Sequence, residues 1–419
     1  MTGGAIVAVA VQQLLQPGES IYGSFGDLDV WRGSLATGLA AAGLTFGLVV
    51  DRRRPARSLA VAIGIGAMIG LILFWQGQPG WALWGNGRAA MLLVAFLIVV
   101  PLLQARAEGG GYAALHRASW NDVIECVAGG VVVAMVLRLV LSLGRRLAAV
   151  AHLLEQGWFW AVLIGGGFGL VLGLLRGRDA MLDLARRIAA VLLSVFAPLL
   201  VLFLLALPFA AALGLWWWTE SPTATFLGGA ILALVVANAA IGAGDADRSM
   251  SPVLRGATLV LALAVLPLAV VAGAATGMRI DQYGISPTRL WALVFVALAA
   301  AHGLAGLVAI VRGRRDWPRR VRAANITLAV GIAIVALLLA TPIVSFDAIS
   351  AHAQAARLEA GRVTPDRFDW AALAFDYGDA GQAAVKRLTG SADPAIAVAA
   401  RKAAAASSRF DLEGPGDQS

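Results

Sequence analysis

The sequence predicts an all-α membrane protein, a polytopic transmembrane helical bundle of about ten spans with a small C-terminal helical cap. Its 419 residues are 59% hydrophobic and only 14% charged, whereas a soluble domain carries about 25% charged residues. Apolar runs of about 20 residues, each long enough to cross the hydrocarbon core, recur along most of the chain. A transmembrane barrel would instead show alternating segments of about 10 residues.

The apolar runs divide the chain into four parts: an N-terminal segment, 1–32; a transmembrane bundle, 33–344; an extracytoplasmic helical tail, 345–410; and a disordered end, 411–419. The predicted spans are 33–50, 59–74, 89–103, 123–143, 158–175, 188–215, 224–241, 256–275, 290–311 and 326–344. Before them, the apolar piece from Ala5 to Leu15 is too short to span, so we expect it to lie along the interface.

Arginine is distributed unevenly between the two sides of this topology. Alternate loops, at 51–58, 104–122, 176–187, 243–255 and 312–325, hold eighteen arginines, and the four opposite loops hold five. The positive-inside rule places the first set in the cytoplasm, with the N-terminus and the tail in the periplasm. Among the five, Arg145 and Arg146 form a pair that lies against the rule, between the fourth and fifth predicted spans. Orientation therefore explains the net charge of +8, and we expect no nucleic-acid partner.

Tryptophan marks the predicted outer ends of the spans. Ten tryptophans fall there: Trp31, Trp75, Trp81, Trp84, Trp158, Trp160, Trp216, Trp217, Trp218 and Trp291. Aromatic belts normally form at both interfaces, so this bias suggests that the outer surface contacts a lipid head group, a glycan or the tail.

The stretch 279–289, which reads RIDQYGISPTR, is predicted to form a rigid turn between two spans. Gly284 can supply a positive φ, and Ser286 can cap a helix that begins at Pro287, where proline is tolerated. The aromatic ring of Tyr283 suits the membrane interface.

The same stretch carries a second interpretation, the mouth of a site. Arg279 and Arg289 could face an anion there, because guanidinium groups bind anions well. Within the spans, His302 lies near the middle of the ninth, beside small residues that would let another helix approach. We left two roles open for it: a neutral side chain hydrogen-bonded inside the bundle, or a proton or ligand site. Asn238, near the inner end of the seventh span, is predicted to hydrogen-bond between helices.

The tail is predicted to be a set of short helices with little core of its own. One helix covers Phe346–Glu359, and a second starts at Thr364–Pro365 with Phe368, Ala372 and Phe375 on one face. Two further helices are predicted at Gly381–Leu388 and Pro394–Ala405.

Several classes of site are missing from the sequence. It contains no GxxxxGK[ST] loop and no HExxH motif, and its four histidines lie far apart. We therefore expect no metal and no cofactor, and an intramembrane enzyme is the weakest of our three functional hypotheses. The single cysteine, Cys126, cannot form an internal disulfide.

A series of motifs gives the chain a family resemblance. In order, they are HRASWND before the fourth span, Asn238, Leu266–Pro267, RIDQYGISPTRLW, Asn325, Thr341–Pro342, SFDAISAHAQAARLEAG and FDWAALAFDYGDAGQAAVKRL. With these the chain resembles the bacterial membrane proteins grouped as domain of unknown function 4153. The resemblance implies a helical protein of the bacterial inner membrane, but it carries over no catalytic residue.

Two functions remain open from the sequence. The first is a transporter-like or lipid-handling bundle, suggested by prolines inside spans (Pro198, Pro208 and Pro267), by His302 and by the arginine-bearing turn. The second is a non-catalytic envelope scaffold or assembly factor that binds a protein partner through the tail and the tryptophan-rich outer face. Membrane lipids are expected partners in both, and the oligomeric state is left open.

Overall fold

The computed structural model describes residues 2–15, 30–50, 54–76, 87–146, 152–176, 178–212, 221–244 and 251–412. Within these residues the fold is all-α, and no strand is present, which confirms the predicted fold class. Most of the predicted disordered end, the whole segment 16–29, and five of the ten predicted outer tryptophans (Trp81, Trp84, Trp216, Trp217 and Trp218) lie outside the described residues.

The helices follow one another along the whole chain. They are α1 (Thr2–Leu15), α2 (Val30–Val49), α3 (Pro55–Gln76), α4 (Arg88–Ala107), α5 (Tyr112–Gly144), α6 (Gly157–Leu175, with a π-turn at Val162–Gly166), α7 (Asp179–Ala212), α8 (Pro222–Ile241), α9 (Pro252–Tyr283), α10 (Pro287–Gly313), α11 (Trp317–Ala340), α12 (Phe346–Glu359), α13 (Gly378–Leu388) and α14 (Pro394–Ala405). A π-turn at Ala372–Asp376 precedes α13.

Eight described helical segments are long and apolar enough to cross a membrane. The last of them, Pro287–Ala340, consists of α10 and α11 joined by a 3-10 turn at Arg314–Asp316. The remaining predicted span, 33–50, coincides with the 20-residue helix α2. Each predicted span therefore overlaps a described helix, α2 being outside the eight segments, and the chain is a multi-pass membrane protein.

One predicted boundary is wrong in a way that matters for the site. We predicted a long loop at 104–122, but α5 begins at Tyr112 and the chain turns within 108–111. Gly109, Gly110 and Gly111 all have positive φ, so three glycines complete the reversal in a few residues. The HRASWND motif is therefore helical.

The described chain divides into two compact units. Unit 1 comprises Met1–Pro198, Val236–Thr258 and Ala309–Ile343; unit 2 comprises Leu199–Val235, Leu259–Val308 and Val344–Ser419.

Glycine contacts bring the helices of unit 1 close together. A Cβ built on Gly66 of α3 would lie 2.5 Å from the carbonyl oxygen of Gly38 in α2, and one on Gly165 of α6 would lie 2.5 Å from that of Gly4 in α1. Such small residues allow close helix approach in membranes. Helix α1, for which we predicted an interfacial location, packs against α6 in this way; its position relative to the membrane surface stays a prediction.

Unit 2 contains an equally close helix pair. A Cβ on Gly303 of α10 would lie 2.6 Å from the Cα of Leu266 in α9, and one on Gly273 would lie 3.1 Å from Cγ1 of Val296. We predicted that the small residues beside His302 would let another helix approach. At one of them, Gly303, the helix that approaches is α9.

The tail, also in unit 2, has an apolar core of its own, which corrects our expectation. Its fully buried side chains include Leu358, Leu373 and Leu388, with Trp370 and Tyr377 beside them. The alanines of its helices are buried as well, so small side chains let the short helices pack closely. The tail is a folded helical module.

The second predicted tail helix was wrong. No helix begins at Thr364–Pro365; the chain forms a turn, and Asp369 caps a later helical segment by accepting a hydrogen bond from the Ala372 amide at 2.8 Å. Phe375, which we placed on the buried face, is 38% exposed because the segment continues as the π-turn Ala372–Asp376. The other three tail helices match the prediction to within three residues.

Candidate functional site

The turn between α9 and α10 has the geometry that its sequence predicts. Gly284 has a φ of +80°, and the Ser286 hydroxyl accepts a hydrogen bond from the Arg289 amide at 3.4 Å, at the start of α10. The Arg289 guanidinium donates to the Gly284 carbonyl oxygen at 2.6 Å and stacks 5.5 Å from the ring centre of Tyr283. Arg289 therefore stabilises the turn itself. The exposed Arg279 lies on α9, one helical turn before Tyr283.

The tail binds to the carbonyl end of α9 in the same turn. Gln354 of α12 donates to the carbonyl oxygens of Tyr283 and Ile285, at 3.0 and 2.8 Å. Arg357 donates to those of Asp281, at 3.2 Å, and Gln282. The last carbonyls of a helix lack partners within the helix, so these two side chains cap α9. The turn is a docking point for the tail.

The imidazole of His302 is bonded within its own helix. Its Nδ1 lies 2.8 Å from the Leu298 carbonyl oxygen, one turn earlier on α10. Since a carbonyl can only accept, Nδ1 carries a proton, and in a neutral ring Nε2 is then the accepting nitrogen. This geometry agrees with the first role considered for His302, and it leaves Nε2 as the atom that would serve the second.

Asn238 bonds across two helices of unit 1. The Nδ2 of Asn325 in α11 lies 2.7 Å from the Oδ1 of Asn238 in α8. One turn away on α11, the buried Arg322 donates to the carbonyl oxygens of Ile241, Gly242 and Gly244, at 2.9, 3.2 and 2.8 Å. Arg322 therefore caps the carbonyl end of α8.

The five candidate residues are divided between the two units. Arg279, Tyr283, Arg289 and His302 belong to unit 2, and Asn238 belongs to unit 1. Within unit 2, Tyr283 and Arg289 are in contact.

A buried charged cluster in unit 1 was missed by our sequence reasoning. Asp122 and Glu125 of α5 are 6% and 3% exposed. The Arg176 guanidinium, at the end of α6, lies 3.7 Å from the Glu125 carboxylate, measured from Nε to Oε2. Gln104 of α4 donates to the Asp122 carboxylate at 2.9 Å. We call these four residues, Gln104, Asp122, Glu125 and Arg176, the carboxylate cluster.

Helix ends complete the surroundings of the carboxylate cluster. Gln104 also donates to the Leu48 carbonyl oxygen at 2.9 Å, and Arg176 donates to that of Val50 at 3.3 Å. Both carbonyls belong to the last turn of α2 and the residue after it, whose backbone oxygens lack partners within the helix. Three separate helices, α2, α4 and α6, thus end around two acidic side chains of α5.

Next to the carboxylate cluster, a second polar group joins α5 to α7. Arg186 donates to the Asn121 side chain at 2.9 Å and forms an ion pair with Asp183. Asn121 and Asp122 are the last two residues of HRASWND, so the motif contributes to both polar groups.

A signal for the carboxylate cluster was present in the sequence. The spacing of Asp122 and Glu125 places both on one face of a helix, but only if HRASWND is helical. We assigned Asp122 to a loop and began the span at Val123, so the pair was not considered.

The cluster offers oxygen atoms from two carboxylates, an amide and backbone carbonyls. In the described part of the chain, no group of three or more His, Cys, Asp or Glu side chains could hold a metal ion. The cluster therefore combines one ion pair, between Arg176 and Glu125, with a second buried carboxylate, that of Asp122.

Comparison with known proteins gives one finding. The model of a family described as Domain of unknown function (DUF4153) matches residues 40–388, which is most of the chain and includes the turn, His302, Asn238 and the carboxylate cluster. A search of curated proteins and a search of solved structures each returned no significant match.

Proposed function

Because the chain belongs to the DUF4153 family, whose description leaves the activity open, we propose its function from the buried charges: a transporter-like or lipid-handling protein of the bacterial inner membrane. One observation carries the proposal. Helix α5 spans the membrane by length and composition, yet it holds two carboxylates that are at most 6% exposed. Ionisable groups within spanning helices are costly and mark ion and substrate paths by default.

The orientation proposed from arginine places the carboxylate cluster at the cytoplasmic end of unit 1. The cluster lies where α2, α4 and α6 end, and the loops that follow these helices belong to the arginine-rich set. Both termini, and with them the tail and the turn at 279–289, are then periplasmic. An enzyme reporter that is active only in the periplasm, fused after Ser419, should be active; an inactive but intact fusion would contradict this orientation.

Mass spectrometry of the purified native protein tests the function. Tagged protein, isolated from membranes in mild detergent, should carry a specific lipid or small molecule. An Arg176→Gln variant should lose it, because the side chain that orders the cluster is gone, and an Arg117→Gln variant should keep it. Arg117 is a matched control, since it pairs with Glu108 at the exposed surface. A molecule retained equally by both variants, or none at all, would argue against a site at the cluster.

The folded tail favours the second candidate, a scaffold or assembly factor. The tail has its own apolar core and still exposes Val398 and Phe410, at 64% and 73%. Exposed apolar side chains on a folded module outside the spans suit binding of a protein partner. If the same purification yields a stoichiometric protein and no small molecule, and a variant lacking 345–419 loses that protein, the scaffold function replaces the transporter.

A further inference from the structure

The charges of the carboxylate cluster do not balance. Asp122 and Glu125 contribute two negative charges, and Arg176 contributes one positive charge. Among the described residues, the charged side chains close enough to Glu125 to affect it are Arg176 and Asp122. The thiol of Cys126 is a further titratable group beside the two carboxylates. The neighbouring ion pair of Arg186 with Asp183 is neutral in itself. With both carboxylates ionised, the part of the chain that the structure describes leaves one negative charge uncompensated at a buried position.

The uncompensated negative charge is assigned to Glu125. Its Oε2 is fully buried, and no described residue donates a hydrogen bond to it; the Arg176 Nε, 3.7 Å away, is beyond hydrogen-bonding distance. Asp122, by contrast, accepts from Gln104. A buried carboxylate oxygen without a donor is unfavourable unless it is protonated or binds a cation.

The ligand has a single positive charge. One charge restores neutrality, and among the described residues no three acidic, histidine or cysteine side chains are placed so that they could hold a metal ion. The donors at hand are oxygen atoms, and these suit a proton or an alkali cation equally well.

We propose that Glu125, supported by Asp122 and Gln104, binds one exchangeable monovalent cation, a proton or a sodium ion, inside the carboxylate cluster. The inference deepens the proposed transport function and rests on it, since it identifies the coupling ion of the same site. If the ion is a proton, an O–H bond forms on the Glu125 carboxylate with a proton from hydronium, which leaves as water. No electrons move, and no other reactant is needed.

Infrared difference spectroscopy on the purified full chain in lipid nanodiscs tests for the proton. A pH change should reveal a protonated carboxyl band in the wild type that Glu125→Gln abolishes. Glu108→Gln, which changes an exposed glutamate, should keep the band. Glutamine resembles a protonated glutamate, so Glu125→Gln should unfold at the wild-type Tm or above it.

A second arm tests for sodium. At fixed pH, replacing choline chloride by sodium chloride should raise the Tm of the wild type and of Glu108→Gln, but not that of Glu125→Gln, if sodium is the ligand, because a ligand of the native state stabilises it. A Glu125-dependent carboxyl band without a sodium shift assigns the proton.

The proposal is overturned if the carboxyl band of the wild type is unchanged in Glu125→Gln and in Asp122→Asn and the wild type shows no sodium-dependent shift in Tm. Both readouts use the wild-type protein, so a variant that fails to fold does not remove the test, and Asp122→Asn serves as a second variant that should alter the same band.

Both readouts also report equilibrium binding of the cation, and neither depends on transport. A bound cation without a co-purified substrate would contradict the transport function and not the cation site, and the reverse result would contradict only the cation site.

Discussion

Gln354 of the tail helix α12 lies 2.8 Å from the carbonyl oxygen of Ile285, in the turn that follows α9. The contact makes the turn and the tail parts of one structure, since a side chain 69 residues further along the chain supplies a donor that the turn lacks. Gly284 accommodates this side chain: a Cβ there would lie 2.7 Å from the Gln354 Nε2. The binding of Gln354 therefore explains why this turn has a glycine at position 284.

We predict that removing the two tail donors loosens the tail. Gln354→Ala and Arg357→Ala should each lower the free energy of unfolding by roughly 1 kcal/mol, the net value of a typical hydrogen bond, and the double variant should be cleaved faster by protease between 341 and 345. Arg362→Ala, at an exposed position nearby, is the control. Equal cleavage of the double variant and the control would show that these contacts do not hold the tail.

The close approach of α9 and α10 predicts a position-specific effect of one methyl group. Gly303→Ala should destabilise the protein by about 1–3 kcal/mol, as overpacking does, because the new Cβ would meet the Leu266 backbone at 2.6 Å. Gly277→Ala, in α9, is the matched control, since nothing lies within 4 Å of its Cβ position. Thermal unfolding in detergent compares them, and similar Tm values would contradict the packing described here.

How much the sequence could predict depended on the range of the interaction. Gly284, Ser286 and Pro287 specify their turn locally, and α12 and α14 begin and end at the predicted residues, where Ser345 and Asp393 cap their first turns. Hydropathy located every span. These signals act within a few residues, so they can be read from the sequence without knowing the fold.

The site required information from distant residues. Arg176 reaches Glu125 and Val50 only after three helices have packed, and no local pattern reveals that meeting. The tail core was underestimated for the same reason, because alanines such as Ala355 and Ala400 carry little hydropathy yet are fully buried. One error was local: three glycines close the turn before Tyr112, and a shorter predicted loop would have placed Asp122 on a helix.

The buried phenol of Tyr377 in the tail predicts a loss of stability at high pH. Burial, followed by the negative charge of Asp369, raises its pKa from 10.0 to about 12. Because the pKa is raised in the folded state, Tyr377 makes its full contribution to stability below pH 10, where its phenol is neutral in both the folded and the unfolded state. It is lost between pH 10 and about 12, as the unfolded state releases its proton first.

Thermal unfolding followed by circular dichroism at pH 9 to 12 measures this loss, with Tyr377→Phe as the comparison. The variant should lose less stability across that range, and absorbance titration should show one fewer tyrosine ionising late. A Tyr377→Phe variant with the wild-type pH dependence would contradict the prediction.

The strongest single effect in unit 1 outside the carboxylate cluster is expected at Arg322. Its guanidinium donates to three carbonyl oxygens at the end of α8, those of Ile241, Gly242 and Gly244, and Gly242 takes the positive φ, +64°, that commonly ends a helix. Arg322→Ala leaves these buried acceptors without that donor, so the free energy of unfolding should fall by about 3 kcal/mol, since each lost partner costs about 1–3 kcal/mol.

Arg322→Lys should recover only part of this loss, because an ammonium group is compact and cannot reach three carbonyls with the planar fork of arginine. Chemical unfolding in mild detergent gives the ranking wild type, lysine variant, alanine variant. The same two substitutions at the exposed Arg320 should change stability by no more than about 0.5 kcal/mol. If Arg322→Lys were as stable as the wild type, charge alone would hold the end of α8, and the fork geometry would have no part in it.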